Sequence, residues 1–577
     1  MTKFKVESKL LKNTLLKDSY YVSIKEVFQR VANYAPDARL LADLDENKNI
    51  VYHTAKDVLE DVENLGNGLI KEGFENKHIA ICADNCYLYV IADMSIAGGV
   101  GVSAPIDKES PEKLLELLLN RCDADAVICS SHLLSKIESI KQACPRLKTI
   151  ITIDKKVDGY KFIREIMEVG GKVKENYYKN KPVDFDATCK IIFTSGTTGS
   201  NKGVELSQKN LTSNFNNFLD TIKTVEKEDK NTSYSTLPMH HSIEINTHIM
   251  PRIASARLTY INDSIKNLIP NMRIFKPHII MVVPMIVNMI YKTIWNNIKK
   301  AGEEKKVKRQ IKFNNFTRKF GINRSKKLFK KWFEPFTENL QEIMCGGAPL
   351  NPEVVKGMNE LGIFIVNGFG ITECSPLVSA NNETYKDYAS IGTACPKVTV
   401  KIDQPDKFGI GELLVKGTNV AKGYYKDDTA TKQAFDEEGF FHTGDYASID
   451  KKKRINLIGR KKNTIVLENG KNVFPEEIEN EIENNMPYVK EVVVYASPYI
   501  RNGEENMGIC AGLYIEENKP DEETIKKDFI KLNKQLSVYK RISYINLVDA
   551  PFERTSSKKI KRDCVYDTHK KQDGIII

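Results

Sequence analysis

The sequence predicts an α/β protein with a large layered body and a smaller α+β unit towards its C-terminus. Short apolar runs alternate along the chain with amphipathic helical patterns, as in Ala55–Gly73, Ile79–Cys82, Glu112–Asn120, Ala126–Cys129 and Thr149–Ile153. Strands that alternate with helices are typical of a body with mostly parallel sheets. With 577 residues, of which 41% are hydrophobic, the chain is long enough for one large and one small folded region.

The stretch Ile191–Gly203 reads IIFTSGTTGSNKG and is the most informative part of the chain. Its apolar start predicts the end of a buried strand, and a loop of glycines, hydroxyls and one lysine follows. We expect a helix after the loop, with Ser207 as its N-cap. One face of that helix would carry Leu211, Phe215, Phe218, Leu219 and Ile222.

This strand, loop and helix predict a phosphate-binding site. Glycines let backbone N–H groups approach an anion, hydroxyls donate further hydrogen bonds, and Lys202 adds a positive charge. The loop is not a Walker A motif, because Lys202 is followed by Gly203 and not by Ser or Thr. The pattern therefore disfavours a kinase or a P-loop ATPase.

Three later motifs add polar groups. Ser235–Glu244 places two histidines shortly after a proline, although His241 taken alone is more often a hydrogen-bonded core histidine. Ile343–Leu350 predicts a strand that ends in a Gly-Gly turn, which allows the backbone to approach a flat ligand closely. Phe364–Glu373 predicts another strand and a loop ending in a hydroxyl and a carboxylate, and a carboxylate near polyphosphate can hold Mg²⁺.

In their order and separation, these motifs resemble those of the adenylate-forming enzymes, the superfamily of acyl-CoA synthetases, luciferases and peptide-synthetase adenylation domains. The resemblance covers about residues 50–565, and the HSIE ending of the histidine motif is most similar to long-chain fatty acyl-CoA synthetases. It implies an ATP- and Mg²⁺-dependent ligase that activates a medium- or long-chain fatty acid as acyl-AMP, releases pyrophosphate, and transfers the acyl group to CoA.

The resemblance also implies which residues bind the nucleotide. The β- and γ-phosphates would be held by Thr194, Ser195, Gly196, Thr197, Thr198 and Lys202. The adenine would be surrounded by Gly346, Gly347, Ala348, Asn367, Gly368 and Phe369, with the asparagine at the amino edge and the phenylalanine stacked on the ring.

By the same resemblance, Thr372 touches the α-phosphate, Glu373 binds Mg²⁺, and His241 lies near the reacting carboxylate. Asp445 and Arg460 would hold the ribose hydroxyls. Taken alone, these last two would be a turn aspartate and a surface arginine.

The resemblance implies a two-part organisation around a hinge at Lys462. The body includes a β subdomain and the nucleotide and acyl sites, and the small domain carries Lys559 as the catalytic lysine. The family has glycine where this chain has Lys558, next to that lysine. The predicted boundaries are an AMP-binding domain at 1–459, a hinge and loop at 460–475, and a small α+β domain at 476–577.

Charge is concentrated in one segment. Between Lys292 and Lys331 there are 15 Lys or Arg residues and only two acidic residues, Glu303 and Glu304, in a chain whose net charge is +10. The excess is therefore not a general nucleic-acid footprint, and no nucleic-acid partner is expected. Residues 292–333, which include seven aromatics, could be a solvated helical face or could contact anionic lipid, CoA or an acidic carrier protein.

The sequence predicts a cytoplasmic protein and leaves open a peripheral contact with the inner face of the membrane. The most apolar run, Ile279–Ile290, is too short to span a bilayer, and the N-terminus lacks the apolar region of a signal peptide. The eleven cysteines form no zinc pattern, which favours reduced and mostly buried thiols.

A fatty acid and CoA are the favoured substrates, and three alternatives stay open. The chain could be an acyl–acyl-carrier-protein ligase, or a ligase of aryl or short-chain acids and CoA. It could also be an inactive homologue that only binds nucleotide or lipid, although Lys202, Glu373 and Lys559 argue against this reading. A kinase or P-loop ATPase would release ADP instead of AMP.

Overall fold

The computed structural model describes residues 20–195, 201–221, 231–381, 388–467, 472–501, 504–516, 519–554, 560–562 and 574–577. The chain divides into two compact units. The first comprises Met1–Val400 and Val415–Phe441, and the second comprises Lys401–Leu414 and His442–Ile577. The boundaries expected at 459/460 and 475/476 stay predictions.

An eight-stranded sheet carries the predicted phosphate loop. In sheet order, and numbered along the chain, its strands are β19 (Gly423–Tyr424), β9 (Asn201–Ser207), β8 (Thr188–Ser195), β4 (Val102–Pro105), β3 (His78–Cys82), β5 (Ala126–Cys129), β6 (Thr149–Thr152) and β7 (Lys161–Phe162). From β8 to β7 all neighbours run parallel, whereas β9 and β19 are antiparallel. This confirms the predicted strands β3, β5 and β6.

A nine-stranded sheet carries the Gly-Gly and Thr-Glu motifs. Its strands are, in sheet order, β16 (Thr393–Ala394), β15 (Leu377–Ala380), β14 (Phe364–Gly370), β13 (Glu342–Cys345), β12 (Ile279–Val282), β10 (Ser233–Ser235), β11 (Thr259–Ile261), β1 (Arg39–Leu44) and β2 (Ile50–Thr54). The five central pairings are parallel, and the pairings towards both edges are antiparallel. The carboxyl ends of β13 and β14 therefore meet at one edge of the sheet.

The helices of the first unit connect and cover these strands. They are α1 (Ile24–Tyr34), α2 (Ala55–Lys71), α3 (Tyr87–Ser95), α4 (Glu112–Arg121), α5 (Leu134–Lys141), α6 (Ile163–Gly171), α7 (Tyr177–Asn180), α8 (Gln208–Thr221), α9 (Met250–Ala254), α10 (Leu268–Phe275), α11 (Pro284–Lys300), α12 (Glu304–Arg318), α13 (Ser325–Phe329), α14 (Pro352–Leu361) and α15 (Asp428–Ala434). A π-helical segment covers Ile243–Ile249, whereas Ile96–Val100 is a kinked segment in which Gly99 has a non-helical conformation. Within the described part of the chain, no helix is both long and apolar enough to cross a membrane.

Both faces of the eight-stranded sheet are buried. Ile79 and Ile81 of β3 belong to the largest apolar core, whereas Ala80 and Cys82 belong to another core, as the alternation of side chains along a strand requires. The largest core also includes residues of the nine-stranded sheet and of α1, α2 and α3, so these helices pack between the two sheets. Burial on both faces explains why the parallel strands are almost continuously apolar.

The structure corrects one local prediction. The phosphate loop was expected to lead directly into a helix, but strand β9 follows it and pairs with β8 as a hairpin. The helix is present after β9, and Ser207 does cap it, because its Oγ accepts the Asn210 N–H at 3.2 Å. Leu211, Phe215, Phe218 and Leu219 are buried as predicted, and Ile222 lies outside the described residues. The missed strand, Asn201–Ser207, contains small and polar residues. It therefore lacks the regular apolar–polar alternation by which a strand is recognised.

The second unit contains most of a four-stranded sheet and the C-terminal α+β region. The first sheet has the order β17 (Val398–Asp403), β18 (Gly411–Gly417), β20 (Phe441–Ile449) and β21 (Ile455–Arg460). A short pair, β22 (Ile465–Val466) and β23 (Asn472–Val473), precedes a sheet of β24 (Glu491–Arg501), β25 (Glu504–Tyr514), β26 (Ile542–Val548) and β27 (Ile575–Ile576). Helices α16 (Pro475–Asn485) and α17 (Glu522–Gln535) complete it, which confirms the predicted mixture.

A buried ion pair connects β8 and α3 inside the first unit. The ammonium of Lys190, in β8, donates to Asp93 Oδ2 at 2.6 Å and to Asn246 Oδ1 at 3.1 Å. The side chains of Lys190 and Asp93 are 1% and 0% exposed. The Ser103 hydroxyl donates to the other Asp93 oxygen at 2.5 Å, so both charges are hydrogen-bonded as well as paired.

We predict that Asp93→Ala destabilises the protein strongly. The substitution leaves the Lys190 ammonium buried without its counter-charge, which typically costs about 3 to 5 kcal/mol. The double variant Asp93→Leu with Lys190→Met should recover much of this loss, because no charge stays buried. The measurement is the midpoint of thermal unfolding of each variant.

The exposed pair of Lys209 and Asp186, with side chains 53% and 69% exposed, supplies the control. Asp186→Ala should leave the midpoint almost unchanged, because solvent screens such pairs. Equal effects of Asp93→Ala and Asp186→Ala would contradict the assigned importance of the buried pair.

Candidate active site

The predicted phosphate loop joins two antiparallel strands whose ends are described. Thr194 pairs with Lys202, and Ser195 pairs with Asn201 in the β8–β9 hairpin. The base of the loop therefore holds Thr194 and Lys202 side by side. The predicted ligands Gly196, Thr197 and Thr198 lie outside the described residues.

Tyr424 connects the lysine of this loop to the predicted metal-binding carboxylate. The Lys202 ammonium lies 4.8 Å from the centroid of the Tyr424 ring, and the Tyr424 hydroxyl donates to Glu373 Oε1 at 2.8 Å. Burial, together with the negative charge of Glu373, raises the pKa of Tyr424 well above its usual value. The hydroxyl therefore stays protonated and continues to donate.

The sequence analysis missed Tyr424 as a site residue. It lies 51 positions from Glu373, so no local spacing indicates the contact. The structure positions it through β19, where Tyr424 pairs with Val204 of the phosphate-loop hairpin. The backbone N–H of Ala421 also donates to the carbonyl of Glu373 at 2.7 Å, which fixes the two segments together.

Glu373 is suited to a magnesium ion that is shared with substrate phosphates. One of its oxygens is oriented by Tyr424, as hydrogen-bonding partners commonly orient metal-binding carboxylates. Across the residues that the structure describes, no three His, Cys, Asp or Glu side chains gather into a metal cage. Mg²⁺ is usually bound by one or two carboxylates, with water and phosphate oxygens completing its shell. Glu373 fits that role and would hold the ion.

The Gly-Gly turn brings two strands and the π-helix close together. A Cβ atom on Gly346 would lie 3.4 Å from the Gly368 carbonyl oxygen. Gly347 has a φ of +86°, and a Cβ atom there would lie 3.6 Å from the Ile243 side chain. The left-handed conformation explains the second glycine, since other residues adopt it at a cost. Ala348 follows and is half-buried.

A cavity that opens to solvent lies beside this turn, and its empty space, with adjoining solvent counted in, is about 490 Å³. Four residues predicted to surround adenine line it, namely Gly346, Gly347, Gly368 and Phe369. Its other walls include Phe218, Ile243, Thr247, Met281, Met344 and Leu377. Among the described lining residues, Thr247 alone carries a hydroxyl, so the cavity suits an apolar ligand. The stacking of Phe369 on adenine stays a prediction.

The histidine motif lies next to the Thr-Glu motif. The hydroxyl oxygens of Ser242 and Thr372 are 3.3 Å apart, which places half-buried His241 one residue from this contact. Asn367 is buried, and its backbone N–H donates to Asn381 Oδ1 at 2.7 Å. The structure thus brings the predicted motifs together, and the individual roles of these side chains stay predictions.

The π-helix Ile243–Ile249 has a polar interior. His248 Nδ1 lies 2.8 Å from Glu244 Oε1, and both side chains are fully buried. The other Glu244 oxygen accepts the Leu237 N–H at 3.1 Å. The bond from Leu237 ties the π-helix to the segment that follows β10, while Ile243 and Thr247 line the cavity.

Asn214 joins two walls of the cavity, and no local sequence pattern indicates this role. Its amide donates to the Asn246 carbonyl at 2.8 Å, and its Oδ1 accepts the Leu377 N–H at 3.0 Å. Thr247, next to Asn246, and Leu377 both line the cavity. Because Asn214 is fully buried, these bonds set the separation of the walls.

In the second unit, the predicted ribose-binding residues form a pair. Asp445 and Arg460 are direct partners across β20 and β21, and Arg460 Nε donates to Asp445 Oδ1 at 2.9 Å. The Arg460 side chain is 38% exposed, whereas that of Asp445 is 8% exposed. The guanidinium therefore fixes the carboxylate orientation, and the contact with ribose stays a prediction.

The predicted hinge residue is exposed in a short helical turn. Lys462 lies within Lys461–Asn463, where Lys461 forms an ion pair with Glu412 at 2.7 Å. The predicted catalytic Lys559 lies outside the described residues.

Comparison with known proteins identifies both parts of the chain. The family model described as AMP-binding enzyme matches residues 28–425. The model described as AMP-binding enzyme C-terminal domain matches residues 462–572.

Curated relatives extend over most of the chain. Long-chain-fatty-acid–CoA ligase 5 of Rattus norvegicus is 27% identical over 549 residues, which is 88% of this chain and 77% of the relative. Long-chain-fatty-acid–CoA ligase 6 of Homo sapiens is 26% identical over 573 residues, which is 90% of this chain and 81% of the relative.

Solved structures confirm the predicted fold class. ATP-bound MatB from Rhodopseudomonas palustris superposes with a TM-score of 0.75 at 20% identity, covering 95% of this chain and 99% of that chain. The anthranilate CoA ligase AuaEII in complex with anthranoyl-AMP gives a TM-score of 0.77 at 17% identity, covering 96% and 98%. At these identities the likeness concerns the fold.

We predict that Tyr424→Phe raises the Mg²⁺ concentration needed for half-maximal ATP–pyrophosphate exchange by about tenfold. Loss of a hydrogen bond to a metal-binding carboxylate typically weakens metal affinity by about 10- to 100-fold. The measurement is the exchange rate over a series of Mg²⁺ concentrations at fixed ATP and acid.

Tyr425→Phe is the matched control. The Tyr425 hydroxyl donates to Asp123 at 2.7 Å and makes no contact with Glu373. This variant should keep the wild-type Mg²⁺ dependence. An unchanged dependence in Tyr424→Phe as well would show that Glu373 is not oriented by this hydroxyl for metal binding.

Proposed function

This chain belongs to the AMP-binding enzyme family, and we propose that it joins a medium- or long-chain fatty acid to CoA. The enzyme is an AMP-forming acid–thiol ligase that uses ATP, CoA and Mg²⁺. The relatives named above, which are called long-chain-fatty-acid–CoA ligases, support the fatty acid as substrate.

The apolar cavity is the observation that carries the proposal. It lies between the Gly-Gly turn and the π-helix, and its lining is almost entirely hydrocarbon and glycine. Burial of each methylene group gains about 0.8 kcal/mol, which corresponds to about a fourfold increase in binding. An acid with a long alkyl chain would therefore use this cavity far better than acetate.

In the first proposed step, an oxygen of the fatty-acid carboxylate attacks the α-phosphorus of ATP. The bond to the bridging oxygen of the leaving pyrophosphate breaks, and acyl-AMP forms. Two anions must meet, so the site has to stabilise negative charge in the transition state. Lys202 would hold the leaving phosphates, and bound Mg²⁺ would shield their charge.

Glu373 and Tyr424 act on this step through position. The Tyr424 hydroxyl keeps one Glu373 oxygen in place, so the other oxygen stays available for a ligand. Ser242 supports Thr372 in the same way, at the point where the α-phosphate would lie. Preorganised polar groups of this kind do not need to reorganise during the reaction.

In the second proposed step, the thiol sulfur of CoA attacks the acyl carbon of acyl-AMP. The new carbon–sulfur bond replaces the carbon–oxygen bond to AMP, and the thiol proton is lost to a base or to solvent. Acyl-AMP hydrolyses readily, so water must be excluded between the steps. A small domain that moves about the hinge at Lys462 could remove Lys559 and admit the thiol.

The acceptor thiol and the location belong to the same proposal. CoA is favoured over an acyl carrier protein, because the relatives are CoA ligases by name. We place the enzyme in the cytoplasm, with a peripheral contact at the inner face of the membrane through residues 292–333.

AMP release with and without CoA, over acids from acetate to stearate plus benzoate, tests this function. We expect activity to require CoA and kcat/KM to rise about fourfold for each added methylene until the cavity is full. Met281→Trp should shift the optimum to shorter acids, whereas Met281→Leu conserves volume and should keep it.

Other outcomes would contradict particular parts of the proposal. Release of ADP instead of AMP would contradict the proposed formation of acyl-AMP. An optimum on benzoate or acetate would replace the fatty acid by an aryl or short-chain acid. Pyrophosphate exchange without turnover of CoA would assign the acceptor role to a carrier protein, and tight ATP binding without any acid-dependent AMP would indicate an inactive homologue.

Lys559→Ala separates the two half-reactions. We expect a large loss of acyl-AMP formation, by about 100-fold or more, because a positive charge that stabilises the transition state is removed. Thioester formation from supplied acyl-AMP and CoA should be nearly unchanged. The neighbouring variant Lys558→Ala is the control, and an equal loss of both half-reactions in Lys559→Ala would show that this lysine is misassigned.

A further inference from the structure

Helix α12 carries exposed phenylalanines on the side that faces away from the protein. Its inner face is formed by Val307, Ile311 and Asn314, which are buried. Phe313 and Phe316 point to the opposite side, because a helix turns by about 100° per residue. Phe320 lies just beyond the end of the helix at Arg318, and the exposures of the three rings are 60%, 58% and 68%.

The exposure of these rings is not explained by the lack of an apolar core near this segment. Other aromatics of the same segment, Phe329, Trp332 and Phe333, are buried and hold it to the rest of the first unit. The rings of Phe316 and Phe320 lie 5.3 Å apart in an edge-to-face arrangement, so they form a small apolar cluster in water. Clusters of this kind on a protein surface usually mark a contact site.

The exposed rings are surrounded by cations without counter-charges. Lys305, Arg309, Lys312 and Lys319 are exposed and form no ion pair with a described acidic residue. The two acids of the segment are already used, since Glu303 pairs with Lys306 and Lys331, and Glu304 pairs with Lys308. The outer side of α12 is thus both apolar and strongly basic.

We infer that this aromatic-basic surface, formed by Phe313, Phe316, Phe320 and the four unpaired cations, docks on an anionic lipid bilayer. The rings would enter the interface between headgroups and acyl chains, and the cations would meet lipid phosphates and carboxylates. The surface combines exposed apolar rings with unpaired cations on the same side, so one approach to a bilayer would bring both groups to the headgroup region.

The observations favour a bilayer over other anionic partners. A free phosphate or the phosphates of CoA would use the cations but leave three phenylalanines in water. Single-stranded nucleic acid would need flat ring faces for stacking, whereas Phe316 and Phe320 are engaged edge-to-face with each other. An acidic carrier protein could use both groups, and it is therefore one outcome of the test.

The purpose of docking rests on the proposed function, since a fatty acid dissolves in the bilayer. Met281, which lines the apolar cavity, lies in β12, and only helix α11 separates that strand from α12 along the chain. The docking itself is inferred from exposure and charge alone. It can therefore be measured without ATP, acid or CoA.

Co-sedimentation of the full chain with vesicles tests the inference. Vesicles of phosphatidylcholine with about 30% phosphatidylserine should bind the protein, and pure phosphatidylcholine should bind it at least tenfold more weakly. Raising the salt to about 0.5 M should weaken the binding, because surface charge is screened within a few ångströms there. Equal binding to both kinds of vesicle would overturn the inference that the cations contact anionic lipid.

Two sets of substitutions separate the contribution of the phenylalanines to vesicle binding from that of the cations. The triple variant Phe313→Ser, Phe316→Ser, Phe320→Ser should lose at least tenfold in partitioning. The triple variant Lys305→Gln, Arg309→Gln, Lys312→Gln should lose about fivefold for each charge. Phe408→Ser is the control, because Phe408 is 73% exposed beside Lys407 but lies elsewhere in the chain.

Folding and function are followed separately in these variants. Thermal midpoints and AMP release with octanoate in water should match the wild type, which shows that a loss of vesicle binding is not a loss of structure. Wild-type vesicle binding by the phenylalanine variant would overturn the inference. Preferential binding of RNA or of an acidic carrier protein through the same phenylalanines would also overturn it. Failure of the acid panel with intact vesicle binding would instead refute the proposed substrate.

Discussion

The buried ion pair between Lys190 and Asp93 connects the two halves of the site in the first unit. Lys190 lies in the strand that leads to the phosphate loop, and its ammonium also binds Asn246 of the π-helix that lines the apolar cavity. A buried pair adds little net stability over apolar residues of similar size, but it penalises every arrangement in which one charge is left alone. We interpret it as the contact that fixes strand β8, which leads to the phosphate loop, relative to the π-helix that lines the cavity.

The π-helix extends this connection to the other walls. In seven residues it places Ile243 and Thr247 at the cavity, pairs Glu244 with His248 inside, and offers Asn246 to Lys190 and Asn214. A π-helix is rare because its hydrogen bonds span five residues, and such segments occur often at functional sites. Here the buried side chains of Glu244, His248 and Asn246 each make at least one hydrogen bond.

The fold could be predicted from sequence because apolar runs and helical patterns alternate so regularly. The strand Asn201–Ser207 was missed, since its Lys202, Gly203 and Ser207 look like the continuation of a loop. Spacing and resemblance indicated the residues of the site that belong to compact motifs. They did not indicate Tyr424 or Asn214, whose contacts join segments 51 and 163 positions apart. Such contacts depend on tertiary packing, which leaves no local pattern.

Sequence alone also left the basic segment ambiguous, because its aromatics fall into a buried group and an exposed group that composition does not separate. Phe329, Trp332 and Phe333 anchor the segment, whereas Phe313, Phe316 and Phe320 face solvent. Composition is similar for both groups, and only their packing in the folded protein distinguishes them. Burial therefore had to come from the structure.

An apolar cavity and a bilayer-binding surface have a joint consequence for selectivity. An acid that enters the cavity from water gains the hydrophobic free energy of every methylene group. An acid that enters from a bilayer leaves an environment about as apolar as the cavity, so that gain nearly cancels. Chain-length preference measured in water then reports mainly the hydration of the acid, and the preference at a membrane reports the shape of the cavity walls that Asn214 and the π-helix hold in place.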